Sequence, residues 1–249
     1  MVLYIEIVSI CNFNTCISCS HCINHATVFQ TGLTIQFVSS SAHLYKTCIY
    51  LYLQQSFCPT CAGSSTKSDI VFLVDTSTGV TQTDLNLQRE FVKYLGQQLG
   101  VSPGKSHAAV LSYSDKPRLI GGFYAHLRGK HFEEVVDSVT QTGGKRNIEE
   151  ALIQAKNMLN MARATVPYVV FLIAYGKQAL DLNSSRLRDA AQGILDMGAR
   201  LYVIGVGVDG SEPQFQTLVT RSADFFQIPS SQDLRSHVLT ITYNVGSGG

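Results

Sequence analysis

Seven cysteines, Cys11, Cys16, Cys19, Cys22, Cys48, Cys58 and Cys61, lie in the first quarter of this 249-residue chain, and their spacing is the first feature with chemical capacity. Cys19-x-x-Cys22 and Cys58-x-x-Cys61 have the form of paired zinc thiolates, with His21 and His25 beside the first pair. The interval between the pairs is far longer than in zinc ribbons, however, and Cys16 is a competing ligand. An odd total also leaves one thiol over in any disulfide scheme. Elsewhere Gly205-Val-Gly-Val-Asp-Gly210 satisfies G-x-G-x-x-G after a strand, the pattern that cradles a pyrophosphate. It follows a late strand, and the next strand ends in Gln227-Ile228 with no acid to hold a ribose, so it reads as an ordinary strand-to-helix turn. His107, His126, His131 and His237 are scattered, and no G-x-S-x-G, H-E-x-x-H or P-loop pattern is present. These residues point to no catalysis. Asn183-Ser-Ser185 is a glycosylation sequon ahead of a helix.

The elements that must position any site fall into two unlike stretches. Across Met1–Gly63 the only charged side chains are Glu6 and Lys46, and neither helical nor strand periodicity is sustained. No run of eighteen apolar residues occurs, so no membrane span is expected. Glu6 interrupts the apolar start and no basic residues precede it, which makes a poor secretory leader. Residues 1–66 are read as disordered, or as sequence joined by a faulty gene model.

From Lys67 onward the pattern is regular. Asp69–Asp75 is a continuous apolar run bounded by acids, the mark of a strand buried on both faces. Helix Thr81–Leu99 follows, closed by Gly100, then strand His107–Tyr113 and the short Leu119–Phe123, an edge strand or hairpin arm. Helices are expected at Phe132–Val139, Asn147–Met161, Ser184–Met197, Glu212–Thr220 and Ser230–Thr242, the last capped by Ser230 or Ser231. Strands are expected at Val166–Ile173, Ala199–Val206 and Asp224–Ile228. This alternation demands a doubly wound α/β fold: a mostly parallel six-stranded sheet with helices on both faces, Rossmann-like. Sites in such sheets lie beyond the carboxyl ends of the strands. The domain is placed at 67–243, and residues 244–249 read as a flexible tail or the start of a linker. A net charge of +1 gives no reason to expect nucleic acid or an anionic membrane as partner.

Three blocks carry a family resemblance: Ser68-Asp-Ile-Val-Phe-Leu-Val-Asp-Thr-Ser77, Tyr113-Ser-Asp-Lys-Pro-Arg118, and Asp189 through Leu201-Tyr-Val-Ile-Gly-Val-Gly207. In order and spacing they resemble the von Willebrand factor A domain family over Ser68–Tyr243, and most of all its extracellular-matrix members, the collagen VI-like and matrilin-like domains. The resemblance implies a non-enzymatic adhesion module, secreted, binding a protein such as collagen or another matrix component. It also implies a metal-ion-dependent adhesion site, in which an Asp-x-Ser-x-Ser loop, a threonine before a helix and an aspartate after the fourth strand surround Mg²⁺. A carboxylate of the partner fills the open position.

Measured against that pattern, this sequence is incomplete. Asp75 and Ser77 stand at the first two positions, but Gly79 replaces the second serine. Lys145, Arg146 and Asn147 stand where the threonine belongs, and Tyr175 where the aspartate belongs. Two cations then face the metal position, and repulsion at about 4 Å in a partly buried site amounts to several kcal/mol. The expectation is therefore that no cofactor is needed and that Mg²⁺ binding is disfavoured. Asp75 would pair with Arg146 or Lys145 instead. Lys145, Arg146, Asn147 and Tyr175 become the ligand-face candidates, Asn183 the glycosylation candidate, and Asp115 a structural acid for loop amides. The alternative functions are a spacer or oligomerisation domain of a multi-domain matrix protein, or an intracellular member acting in a complex.

Overall fold

The computed structural model describes residues 67–125, 131–177, 179, 184–207 and 213–246, together with the strands at 27–31 and 34–38. The chain divides into two compact units, Met1–Gly63 and Ser64–Gly249. In the first, β1 (Thr27–Thr31) and β2 (Thr34–Val38) pair antiparallel, Thr27 opposite Val38. The sequence reading marks no strand there. Five residues per strand are too few for an alternation to register, although both are rich in the β-branched and aromatic types that favour strands. The seven cysteines, His21 and His25 lie outside the described residues.

The second unit is built on a six-stranded sheet of β3 (Asp69–Asp75), β4 (His107–Tyr113), β5 (Pro117–Gly121), β6 (Tyr168–Ala174), β7 (Arg200–Val206) and β8 (Phe225–Ile228). The spatial order is β5-β4-β3-β6-β7-β8, with only β5 antiparallel, on the edge beside β4. Every residue of β3 is buried, as its unbroken apolar run requires. Its odd and even side chains feed two separate cores. Val71 and Leu73 pack with α3 (Ile148–Leu159) and α4 (Ser184–Leu195). Ile70, Phe72 and Val74 pack with α1 (Gln82–Gln98), α2 (Phe132–Asp137) and α6 (Leu234–Gly246). The doubly wound α/β architecture expected from the alternation of elements is therefore the one observed.

Helix boundaries follow local chemistry. Thr81 caps α1 in a capping box: its hydroxyl accepts the Asp84 amide at 3.1 Å while the Asp84 carboxylate accepts the Thr81 amide at 3.2 Å. Gly100 ends α1 at φ +70°, donating its amide to Gln97 at 3.0 Å. Strand β6 starts two residues later than expected, beyond Pro167, whose carbonyl accepts the Asp69 amide at 3.0 Å. α5 (Pro213–Gln216) is a single turn where a longer helix was expected. Thr217 directs both its amide and its hydroxyl at the Gln214 carbonyl, tightening the end into an i→i+3 turn. The closing helix is preceded by a 3₁₀ turn at Ser231–Asp233, and the Ser230 hydroxyl bonds the Asp233 carboxylate at 2.6 Å in place of a backbone amide. α6 then runs on to Gly246, so residues 244–246, read as the start of a linker, are helical. Val245 packs against the core and the Asn244 carbonyl accepts the Tyr202 hydroxyl at 3.3 Å, contacts no linear pattern reveals.

Candidate functional site

β3 and β6 lie side by side, yet the chain leaves β3 toward α1 on one face and β6 toward α4 on the other. The connections beyond their carboxyl ends therefore run to opposite faces, the topological switch point at which open α/β sheets have their binding crevice. Asp75 closes β3 at the floor of this crevice with no exposed surface. Its carboxylate is held from three sides. Oδ1 accepts the Ser77 amide at 3.0 Å; Oδ2 accepts the Tyr175 amide at 3.2 Å and the Arg146 Nε at 2.5 Å. The loops after β3 and β6 and the loop into α3 are thus joined through one carboxylate.

Arg146 is the cation that pairs with Asp75, and its side chain is 14% exposed. The guanidinium lies over Gly79: a Cβ built there would stand 2.8 Å from Arg146 Nη2. The absence of a hydroxyl at position 79 and the presence of an arginine at 146 are thus one spatial fact. Ser77 is 2% exposed, and its hydroxyl has no hydrogen-bond partner among the described residues. At the aspartate position of the family pattern, Tyr175 offers its backbone amide to Asp75 instead of a carboxylate. Its phenol turns away, donating to the Asp84 carbonyl at 3.4 Å, and burial pushes its pKa far above the ordinary tyrosine value, with a Ser231 hydrogen bond opposing. These groups do not fit a divalent ion. One carboxylate oxygen already carries a guanidinium, and Gly79 offers no hydroxyl.

Of the remaining candidates, Lys145 is exposed, and its amide donates to Asp115 Oδ1 at 2.8 Å. Asp115 therefore binds a loop amide. Asn147 is the N-cap of α3: its Oδ1 accepts the Glu150 amide at 3.1 Å and its Nδ2 donates to the Asp115 carbonyl at 3.3 Å. Asn183 lies outside the described residues.

Other residues that matter here were not singled out by the sequence. Gln88, fully buried on the apolar face of α1, clamps Asp75: its Oε1 accepts the Asp75 amide at 2.9 Å and its Nε2 donates to the Asp75 carbonyl at 3.0 Å. The available signal was a lone amide inside the stripe Leu85, Phe91, Val92, Leu95. Thr76, Thr142 and Ser114 form a chain of hydroxyls, 2.8 Å and 2.9 Å apart, that ties the loop before α3 to the ends of β3 and β4. Beside the crevice, Asp84, Tyr175, Gly207 and Ser231 line an open pocket. Burial opposes ionisation of Asp84, but hydrogen bonds from Ser231 and Thr81 outweigh it and lower its pKa.

A doubly wound sheet with an acid at the end of its first long strand defines the class, and sequence comparison supplies the family. The model of the von Willebrand factor type A domain matches residues 69–239, and the chain belongs to that family. A collagen alpha-4(VI) chain from Mus musculus is 26% identical over 179 residues, which cover 70% of this chain and 7% of the collagen. Vitrin from Homo sapiens is 24% identical over 167 residues, covering 65% of this chain and 24% of vitrin. The chain therefore spans a small part of these relatives. Among solved structures, proximal thread matrix protein 1 from the mussel byssus superposes with a TM-score of 0.65 at 15% identity, over 73% of this chain and 48% of that one. A second structure of that protein has a zinc-occupied metal-ion-dependent adhesion site; it superposes with a TM-score of 0.62 at 18% identity, over 74% of this chain and 46% of that one.

Proposed function

We propose that this chain is a non-enzymatic protein-binding module of an extracellular matrix protein, which docks its partner on the carboxyl edge of the sheet. The observation that carries this reading is the junction of three loops at the carboxyl ends of the strands. The loops after β3 and β6 and before α3 meet there, pinned to one buried acid, while exposed Lys145 stands on the rim. The adhesion site is degenerate, retaining Asp75 and Ser77 of the metal ligands. Secretion and a collagen or other matrix partner are supported by the likeness to a collagen VI chain and to a byssal matrix protein. No described helix is long and apolar enough to cross a membrane.

Solid-phase binding to collagens and other matrix proteins, with and without EDTA, tests the reading. Saturable binding that survives EDTA and weakens in Lys145→Glu supports it. A domain that binds none of them, yet self-associates, would favour the spacer or oligomerisation role.

A further inference from the structure

We infer that Arg146 is a tethered internal cation in place of a metal ion, and that Gly79 is the vacancy that admits it. The inference deepens the degenerate-site reading above but does not depend on which partner binds. Three observations carry it. The guanidinium Nε lies 2.5 Å from Oδ2 of the buried Asp75, so the positive charge this carboxylate requires comes from the chain itself. The nearest atoms to a Cβ built on Gly79 all belong to the Arg146 guanidinium, at 2.8, 3.7 and 3.9 Å. The buried Ser77 hydroxyl, on the loop that folds around Asp75, has no hydrogen-bond partner among the described residues. An unpaired buried hydroxyl is costly, and a cradle whose natural guest offered more valences than an arginine would leave one behind.

The consequence is a change of control. An ion comes and goes with its concentration, whereas a guanidinium on the same chain is always present. The loops after β3 and β6, joined through Asp75 to the Ser77 and Tyr175 amides, are then held in one arrangement without any ion. Arg146 acts as a positioning residue. Gly79 and Arg146 must also be coupled: a side chain at 79 disturbs the domain only while the guanidinium is there to be displaced.

The test is a double-mutant cycle read by amide hydrogen exchange at Ser77 and Tyr175, with Mg²⁺ calorimetry alongside. In the wild type, exchange at both amides is expected to be the same in EDTA and in Mg²⁺, with no stoichiometric Mg²⁺ binding. Arg146→Thr should speed exchange at both by at least about tenfold, without rescue by Mg²⁺, because position 79 still lacks a hydroxyl and position 175 a carboxylate. Gly79→Ser should have the same effect in part, and Gly79→Val more strongly, in the wild-type background; in the Arg146→Thr background both should be silent. Arg146→Lys, which keeps the charge, should restore part of the protection. Should Arg146→Thr not fold, the graded Gly79 pair with circular dichroism still decides. Stoichiometric Mg²⁺ binding by the wild type, Gly79→Val without effect at Ser77 and Tyr175, or Mg²⁺ rescue of Arg146→Thr would each overturn the inference. A failed collagen assay would leave it standing.

Discussion

Asp75 has no solvent exposure and, among the described residues, one cationic partner, Arg146. Replacing it by asparagine would leave Arg146 largely buried against a neutral amide, since its side chain is only 14% exposed. Removing one member of a buried ion pair costs about 3–5 kcal/mol. Asp75→Asn is therefore expected to lower the unfolding free energy from urea titration by that amount, and a loss below about 1 kcal/mol would refute the buried pairing. Gly144 is the second sensitive position. It adopts φ +84°, and a Cβ there would run into the Asp115 carboxylate. Gly144→Ala should cost about 2 kcal/mol or more from backbone strain and steric conflict together, measured the same way. The residue types were legible beforehand: Asp75, Gly79, Arg146 and Tyr175 can be read from the sequence as departures from a pattern. That Gly79 and Arg146 are a single steric event was not, because they lie 67 positions apart along the chain.

Elements are tied to the crevice by small polar devices. α1 is capped by Thr81 and Asp84, and Asp84 also accepts the Ser231 hydroxyl at 2.6 Å, so the start of α1 is joined to the turn before α6. The folded-state pKa of Asp84 is lowered, with burial opposing and the Ser231 and Thr81 hydrogen bonds prevailing. A lowered carboxylate pKa contributes stability above the ordinary carboxylate range, and that contribution is lost as pH falls through it. Asp84→Asn should therefore be less stable than wild type near neutral pH, with the deficit closing in acid; a deficit independent of pH would count against this. The sheet has a comparable device on one face. Phe72, Phe171 and Tyr202 are register partners on β3, β6 and β7, stacked at centroid distances of 5.3 and 5.2 Å. Phe171 is fully buried at the middle of this ladder, so Phe171→Ala is expected to cost about 3–5 kcal/mol in thermal or urea unfolding.

For the whole molecule, burial raises the pKa values of Tyr113, Tyr175 and Tyr202 above the ordinary tyrosine value. The unfolded chain then loses these protons first as pH rises, so the folded state loses stability from about pH 10 upward. Circular dichroism should show cooperative alkaline unfolding beginning in that range. Substituting Tyr113 and Tyr202 by phenylalanine should move it upward, provided the variants still fold, and an unchanged midpoint would argue against the linkage. The Tyr113 hydroxyl donates to the Ile173 carbonyl at 2.7 Å, so its replacement also removes a buried bond between two strands of the sheet.

By itself the sequence determined the alternation of strands and helices, the doubly wound sheet and the family to which the chain belongs. The first two follow from local periodicity and from runs such as Asp69–Asp75, whose burial on both faces is written in their composition; the family follows from the resemblance of whole blocks such as Ser68–Ser77. Helix ends that depend on packing, such as the extension of α6 to Gly246 and the shortening of α5, were not written locally. The hydrogen bonds around Asp75 were also settled only in three dimensions. They join residues 13, 71 and 100 positions away along the chain, and sequence spacing carries no information about which donor reaches a given acceptor first. The tertiary structure decided that, by bringing the ends of β3 and β6 together with the start of α3 at one buried carboxylate.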